Sequence, residues 1–397
     1  MNTGERELLG LSRQDTLPGK TQNRNKKNGV ASLDTSQSML LQLPLELRRE
    51  IYTIFFCSTR LAFGERYTSP ISTQAIKPKP HSLALLRTCH QIRKEVGDTW
   101  IGYILWSFGS PASLLDKLSR LPPAILAKIR HVRTGGRPLM LSPPDYDDDV
   151  YYRLVWVLKL MPGLCLDRLT VLGSNIPEVN YDTLEGLIKH GNGWRELRYI
   201  TQDSSMLSFP KLDMFMVDPP YWRKPQPSTW VNMMRQRDGA DSQPSVIIYR
   251  ATVADSPGSV LDERTRYILD QSVPPSGLDE FGIKEDSTLS GPEEAGKELC
   301  VEVRRSKNVD IAERDEPPYN HMDIRDWAGS MSWWEIRSAC LDYVEDDDDD
   351  DDDDIDDEFL KTLAQPTELD EYKLVDDYKW PVVDKNIFNF PERSLYR

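Results

Sequence analysis

The chain has 397 residues, which is enough for one or two folded domains with a sizeable core. Its formal net charge is −15, but 14 of its carboxylates lie within residues 342–358, a stretch that contains no Lys or Arg. Of the 64 acidic residues, removing those 14 leaves 50, against 49 basic residues. The acidity therefore belongs to one tract, and composition excludes a body whose whole surface is built to attract a basic substrate.

The cysteines and the apolar stretches indicate the cellular compartment in which the protein is expected. Five cysteines, at 57, 89, 165, 300 and 340, share no CxxC-type spacing, so the sequence predicts neither a zinc site nor a disulfide framework. The N-terminus lacks a secretion signal, and the most apolar stretches, 100–108 and 154–166, are too short or carry charges. We expect an intracellular protein, cytoplasmic or nuclear, with no membrane partner.

The first predicted helix starts after an arm at 1–37 that has too few large apolar residues to fold. Pro44 suits the first turn of a helix, because its missing N–H would have no intrahelical acceptor there. Apolar side chains then recur at i, i+4, i+7 and i+8, and charged ones take the other side. The apolar positions are Leu47, Ile51, Ile54 and Phe55.

The next segments are predicted as a loop and a second helix. Residues 57–79 contain Pro70 and Pro78, and no periodic pattern, so they are expected to form a long irregular loop. Ser82 is a suitable N-cap, and apolar residues then follow at spacings of three and four as far as Tyr103. This pattern predicts one continuous helix that leads into Trp106.

From 114 to about 201, helical stretches alternate with short strand patterns. Strands are predicted at 129–133, 169–172 and 197–201, each after a helix at 114–128, 150–161 and 181–190 respectively. Such alternation favours parallel strands with helices on at least one side. An irregular leucine-rich-repeat-like arc is an alternative, although the strand spacing is too uneven for a true solenoid.

The rest of the chain is predicted to extend this body and to end in an acidic tract and an aromatic tail. Strands at 246–253 and 299–303, with helices at 230–237 and 261–271, are expected to enlarge the same sheet. Residues near 272–296 indicate an exposed excursion, and a last amphipathic helix begins at Trp333. The predicted organisation is an α+β or α/β fold with five parts: a disordered arm (1–37), a helical module (38–108), an α/β body (109–344), an acidic disordered tract (345–358) and an aromatic tail (359–397).

No pattern in the chain indicates catalysis. The glycine-rich phosphate loops, the HExxH metal motif and the GxSxG nucleophile motif are absent, and the five histidines are scattered. We therefore expect no enzyme, no cofactor and no metal site. A basic stretch at 128–137 lacks interleaved aromatic residues, so a nucleic acid is not a favoured partner.

The opening segments LPLELRREIY (43–52) and LLRTCHQI (85–92) resemble the F-box, and in particular the F-box-like modules of uncharacterised fungal proteins. The resemblance implies docking on a Skp-type adaptor of a cullin-RING ubiquitin ligase, with the remaining domain selecting an unknown protein substrate. Helix-in-groove packing suits aliphatic anchors on a preformed face. The residues expected to contact the partner are Leu43, Pro44, Leu45, Leu47, Ile51, Leu86, Cys89 and Ile92.

Two other interpretations remain open. In the first, the two segments form a cap that packs on the α/β body, because an apolar stripe at helical spacing is usually core. In the second, the chain is a non-enzymatic scaffold whose polyaspartate tract binds basic proteins. Exposure of the apolar face that begins at Pro44 separates the first interpretation from docking.

Overall fold

The computed structural model describes residues 38–69, 72–76, 83–142, 150–207, 226–269, 289, 291–314 and 332–340. The side chains of 65–69 and 72–76 are not part of this description. The arm predicted at 1–37, the acidic tract, the aromatic tail and most of the excursion near 272–296 lie outside the described residues.

Short helices connect most of the strands. In chain order the described helices are α1 (Met39–Gln42), α2 (Leu45–Cys57), α3 (Leu85–Thr88), α4 (His90–Val96), α5 (Trp100–Tyr103), α6 (Pro111–Leu118), α7 (Pro123–Leu126), α8 (Leu154–Lys159), α9 (Pro177–His190), α10 (Ser228–Asp238) and α11 (Trp333–Cys340). Two 3-10 turns cover Ser205–Leu207 and Pro292–Glu294.

The strands belong to one large sheet and one small hairpin. They are β1 (Arg60–Ser69), β2 (Ser72–Ile76), β3 (Leu105–Phe108), β4 (His131–Gly135), β5 (Leu139–Leu141), β6 (Val150–Tyr152), β7 (Leu166–Leu172), β8 (Trp194–Thr201), β9 (Ser245–Ala251), β10 (Arg266–Ile268) and β11 (Leu299–Arg304). The large sheet has nine strands in the order β10-β9-β11-β8-β7-β4-β3-β1-β2, and β5 pairs with β6 separately.

The centre of the large sheet is parallel and its two sides are antiparallel. Strands β1, β3, β4, β7 and β8 are parallel neighbours that follow one another in chain order. The antiparallel strands are β11, β9 and β10 on one side and β2 on the other. This arrangement confirms the predicted α/β fold class and the parallel strands.

One face of the sheet carries the core. Crossover connections are nearly always right-handed, so parallel strands added in a single direction receive their helices on the same face. The buried side chains on this face alternate along each strand with the residues of the opposite face. They include Phe63, Trp106, Phe108, Val132, Leu169, Val171, Leu197, Tyr199, Ile248, Val301 and Val303.

Local signals explain where two of the crossover helices begin. Helix α6 starts with a capping box, in which the Ser110 side chain accepts from the Ser113 N–H and the Ser113 side chain accepts from the Ser110 N–H. Pro111 and Pro177 occupy the first turns of α6 and α9, where a missing N–H costs nothing. The sequence correctly predicted α9 and α10 to within a few residues.

Several predicted elements were wrong, and each failure has a local cause. The loop expected at 57–79 contains β1 and β2, whose stabilising neighbour β3 lies about forty residues downstream. The single helix expected up to Tyr103 is broken at Cys89, which is extended (φ −153°, ψ 157°), and at Gly97, which has φ 53°. The helix expected at 261–271 is absent, and β10 lies there instead.

Two further predicted helices are shorter than expected. The stretch 114–128 forms α6 and α7, separated near Pro122, which is extended (φ −58°, ψ 146°) ahead of Pro123. The stretch 150–161 begins with β6 and only then forms α8.

Residues 38–108, predicted as a helical module, contribute β1, β2 and β3 to the large sheet.

Candidate protein-interaction site

Helix α2 exposes a row of large apolar side chains. Pro44, predicted in the first turn of this helix, is its N-cap, and the helix begins one residue later, at Leu45. The exposed fractions are 47% for Leu47, 40% for Ile51, 64% for Ile54 and 38% for Phe55. Together with exposed Pro44, these four residues form what we call the apolar stripe. Clustered exposed apolar residues on a folded protein mark interaction sites more often than isolated ones do.

The opposite side of α2 faces the protein interior. Arg48, Tyr52 and Phe56, spaced four residues apart, are all buried. Phe56 and Tyr52 belong to the hydrophobic core, and Phe56 also contacts Phe55 edge-on with ring centroids 5.3 Å apart. The sequence predicts Arg48 on the charged side of α2, opposite the apolar row; the structure places it on that side and buries it there.

A partly buried ion pair holds this inner side in place. The Arg48 guanidinium donates from Nε to Glu95 Oε2 at 3.0 Å and from Nη2 to Glu95 Oε1 at 2.6 Å. Its Nη1 donates to the carbonyls of Leu41 and Leu43. The Tyr52 hydroxyl donates to Glu95 Oε2 at 3.1 Å. The pair thus ties α2 both to α4, which carries Glu95, and to the residues before α2.

The electrostatics of Glu95 follow from these donors. Hydrogen bonds from Arg48, and then from Gln91 and Tyr52, lower the pKa of the Glu95 carboxyl to about 2 despite its partial burial. Burial, followed by the hydrogen bond to Glu95, raises the pKa of Tyr52. Glu95 is therefore ionised at neutral pH, and the ion pair with Arg48 is intact there.

The second predicted segment lies mostly inside. Cys89 is the N-cap of α4, and its Sγ accepts from the Ile92 N–H at 3.4 Å. Leu86 and Cys89 are half-buried against the core, and Ile92 is buried in it. Ile92 was predicted to contact a partner, but its packing inside the core makes it a structural residue and excludes it from the apolar stripe.

The remaining predicted contacts occupy the start of α2. Leu43 and Leu45 are half-buried, whereas Pro44 is exposed. Ile54 and Phe55 were recognised in the sequence as part of the helical stripe, but were not assigned a partner-binding role. Their exposure adds them to the site, and the same periodicity that revealed Leu47 and Ile51 was the signal for them.

The described residues contain no group of three or more His, Cys, Asp or Glu side chains that could hold a metal ion. Among the described helices, none combines the length and the apolar character needed to cross a bilayer. The fold and the site define a mixed α/β protein that presents an apolar helix face. No family model matches the chain, and neither a curated protein nor a solved structure matches it.

Proposed function

We propose that this chain is an F-box-like protein-interaction protein that docks on a Skp-type adaptor through the apolar stripe of α2. In this proposal the remaining α/β region selects a protein substrate for a cullin-RING ubiquitin ligase. The observation that carries the proposal is the exposure of Leu47, Ile51, Ile54 and Phe55 on one side of a helix. The resemblance of 43–52 and 85–92 to F-box motifs is the reason for proposing a Skp-type adaptor as the partner.

The geometry of the stripe supports binding in a groove. Anchors at i, i+4, i+7 and i+8 lie along one side of a helix, and this is the pattern that a complementary groove accepts. Half-exposed Leu and Ile side chains each contribute roughly 1 kcal/mol when a partner covers them. Four such anchors contribute roughly 4 kcal/mol together, which is about the lower limit of the cost of association, so a stable complex also requires contacts outside the stripe.

The Arg48–Glu95 pair explains why the stripe stays outward. Helix α2 has apolar residues on two sides, because Tyr52 and Phe56 lie opposite Ile54 and Leu47. Rotating the helix to bury the stripe would separate Arg48 from Glu95 and from the carbonyls of Leu41 and Leu43. Burying unpaired charged groups is costly, so the pair favours the observed orientation.

The test is a binding measurement with purified Skp-type adaptor and the full chain, in wild type and in a Leu47→Asp, Ile51→Asp double variant. Leu47 lies in the first turn of α2, where a carboxylate interacts favourably with the helix dipole, so the fold should tolerate the change. We expect the double variant to bind at least about tenfold more weakly, because two charges enter the docking face.

Val253→Asp is the matched control. Val253 is 45% exposed, much like Leu47, and lies outside α2 in the segment after β9. It should bind the adaptor as wild type does. Equal adaptor recovery by wild type and the double variant, whether high or low, would contradict the proposed docking mode.

A further inference from the structure

The apolar stripe of α2 has a basic surface beside it. Successive residues of a helix are turned by about 100°, so Arg48 lies between the stripe and the buried side of α2. Because Glu95 of α4 bonds Arg48, helix α4 borders the stripe. Lys94 of α4 and Arg87 of α3 are exposed. Since Glu95 is the only carboxylate of α3 and α4 and already pairs with Arg48, the surface beside the stripe is positively charged.

The aromatic tail of the same chain has a complementary composition. Residues 376–390 begin with two aspartates and contain two aromatic pairs at alternate positions. The pairs are Tyr378 with Trp380, and Phe388 with Phe390. Each pair directly precedes a proline, which disfavours helical backbone at the residue before it. The sequence therefore predicts extended backbone at the second aromatic residue of each pair.

The spacing within these pairs matches the spacing of the stripe. Alternate side chains of an extended segment point to the same side and are about 6.7 Å apart. On a helix, positions i and i+4 are separated by about 6 Å along the axis. Leu47, Ile51 and Phe55 follow one another at this interval. An extended segment that lies along α2 can therefore bring both aromatic side chains of a pair against successive anchors of the stripe.

The chain leaves α11 on the same side of the sheet as α2. The buried side chains of α11 and those of α2 belong to one hydrophobic core. Trp333 Nε1 donates to Asp116 Oδ1 at 2.8 Å, and Arg337 also bonds Asp116, so α11 is held on α6. Lys117 of α6 lies 5.7 Å from the ring centroid of Phe63 in β1, the strand that directly follows α2. The residues after α11 thus start on the side that carries the stripe.

The connection from α11 to this part of the tail is long enough to reach α2. Residues 341–375 span up to about 120 Å when extended. A folded body of residues 38–340 has a radius of gyration of about 19 Å. A segment tethered within reach of a site occupies it at a high effective concentration, even where the same segment binds weakly as a free peptide.

We infer that the aromatic tail binds the apolar stripe through residues 376–390, with the aromatic pairs on the stripe and Asp376 and Asp377 towards Lys94. Apolar contact supplies the binding, and the charges favour one orientation of the segment. The tail then covers the site that we propose for the adaptor, which must displace it. This regulatory consequence rests on the proposed function, whereas the contact between tail and stripe does not.

The experiment uses full-length chains and a fluorescent peptide of residues 374–392. A tail variant replaces both aromatic pairs with alanine: Tyr378→Ala, Trp380→Ala, Phe388→Ala and Phe390→Ala. We expect the tail variant to bind the peptide at least about tenfold more tightly than wild type, in which the tethered tail competes.

Further changes in the tail variant locate the peptide on the molecule. Leu47→Asp with Ile51→Asp should weaken peptide binding at least about tenfold, whereas Val253→Asp, at a similarly exposed apolar residue, should not change it. Lys94→Glu should weaken binding severalfold, and Lys307→Glu, at an exposed lysine after β11, should not. Urea unfolding of each variant checks that lost binding does not reflect lost folding.

Four results would overturn the inference. Absence of peptide binding to the tail variant would show that the stripe does not take the tail. Equal peptide binding by wild type and the tail variant would show that the chain's own tail is not the occupant. Equal loss in the Leu47, Ile51 variant and in Val253→Asp would place the peptide elsewhere. A dimer formed by wild type and not by the tail variant would assign the tail to the stripe of a second copy.

Adaptor binding separates this inference from the proposed function. The tail variant should bind the Skp-type adaptor more tightly than wild type does. If both chains bind the adaptor equally, the tail does not compete and the inference fails. If neither chain binds the adaptor, the proposed function fails, and the peptide measurements alone decide the contact between tail and stripe.

Discussion

At the scale of single residues, one ion pair holds α2 in the orientation that leaves the apolar stripe exposed. Arg48 and Glu95 are 47 positions apart in the chain, and Glu95 collects hydrogen bonds from Arg48, Tyr52 and Gln91. This pair attaches the helix and its exposed stripe to the rest of the molecule, together with the core packing of Tyr52 and Phe56. The contribution of the Arg48–Glu95 pair to folding stability depends on pH, because the Glu95 carboxyl group must be ionised.

Replacing Glu95 with Gln should lower stability at neutral pH and flatten its acid dependence. The pKa of Glu95 is lowered in the folded chain from 4.5 to about 2, so its stabilisation is fully present above pH 4.5 and is lost as pH falls toward about 2. Urea unfolding of wild type and Glu95→Gln between neutral pH and pH 3 measures the difference, which should shrink with acid.

Glu50→Gln is the control for that comparison, since Glu50 is exposed on the same helix. Its stability should follow wild type at every pH. A difference between wild type and Glu95→Gln that stays constant from neutral to acid pH would contradict the assigned role of the carboxylate.

At the scale of elements, a buried asparagine joins β7, α9 and β8. Asn180 Oδ1 accepts from the Ser174 N–H at 2.7 Å and from the Tyr199 hydroxyl at 3.1 Å, and Asn180 Nδ2 donates to the Ser174 carbonyl at 2.9 Å. A Cβ at Gly173 would lie 2.8 Å from Asn180 Oδ1 and from Thr201 Cγ2, so only glycine fits beside this junction.

Asn180→Ala should reduce the free energy of unfolding by about 2–4 kcal/mol, because the Ser174 N–H and the Tyr199 hydroxyl would lose their acceptor in the core. Chemical denaturation measures the loss. Asn308→Ala, at an exposed asparagine, is the matched control and should change stability by less than about 0.5 kcal/mol. Similar effects of the two changes would show that the junction does not have the assigned role.

A second junction ties the end of the sheet to a helix. The Arg305 guanidinium donates to Asp238 at 2.7 and 2.8 Å, and both side chains are only 2% exposed. Burial acts to raise the pKa of Asp238, but the hydrogen bonds and positive charges of Arg305 and Arg237 together outweigh it and lower that pKa. This pair connects the residue after β11 with the last turn of α10.

At the scale of the whole molecule, the sheet joins parts that the sequence suggested were separate. Strand β3 lies in residues 38–108 and pairs with β4 in 109–344. Phe63 and Phe108 stack with their centroids 5.4 Å apart, beneath Leu114 and Leu115 of α6. The apolar stripe on α2 thus lies on the same core as the rest of the fold.

A fragment of residues 38–108 should therefore not fold alone. It would lack β4 and α6, and Phe63, Trp106 and Phe108 would lose the neighbours that bury them. Circular dichroism and amide NMR should show an unfolded chain, whereas a chain of residues 38–340 should unfold cooperatively. Dispersed amide resonances and a sharp unfolding transition of the fragment would contradict this prediction.

The sequence predicted best where the signal is local. Helices α9 and α10 and strands β7, β8, β9 and β11 were located because their apolar periodicity covers a whole element. Strands β1 and β10 were missed because short strands gain their stability from neighbours that are distant in the chain. Breaks at Cys89 and Gly97 were also missed, since the apolar spacing continues through both.

The ion-pair network on the sheet face opposite the core illustrates an arrangement that no sequence pattern revealed. Arg133, Arg168, Arg198 and Arg304 lie in four strands, and only the pairing of those strands places them in two adjacent rows. Polar residues alternating with buried ones in β7 and β8 were the available signal, but alternation does not show which strands are neighbours.

The sequence by itself determined the α/β class, five of the eleven described strands and the apolar row from Leu47 to Phe55, because each depends on spacing along the chain. Tertiary structure alone decided that this row faces outward, that Arg48 faces inward and that Ile92 belongs to the core. The periodicity of apolar residues predicts which residues share a side of a helix or strand. Which side is covered depends on residues far away in the chain, here Glu95 for Arg48, and only the folded molecule brings them together.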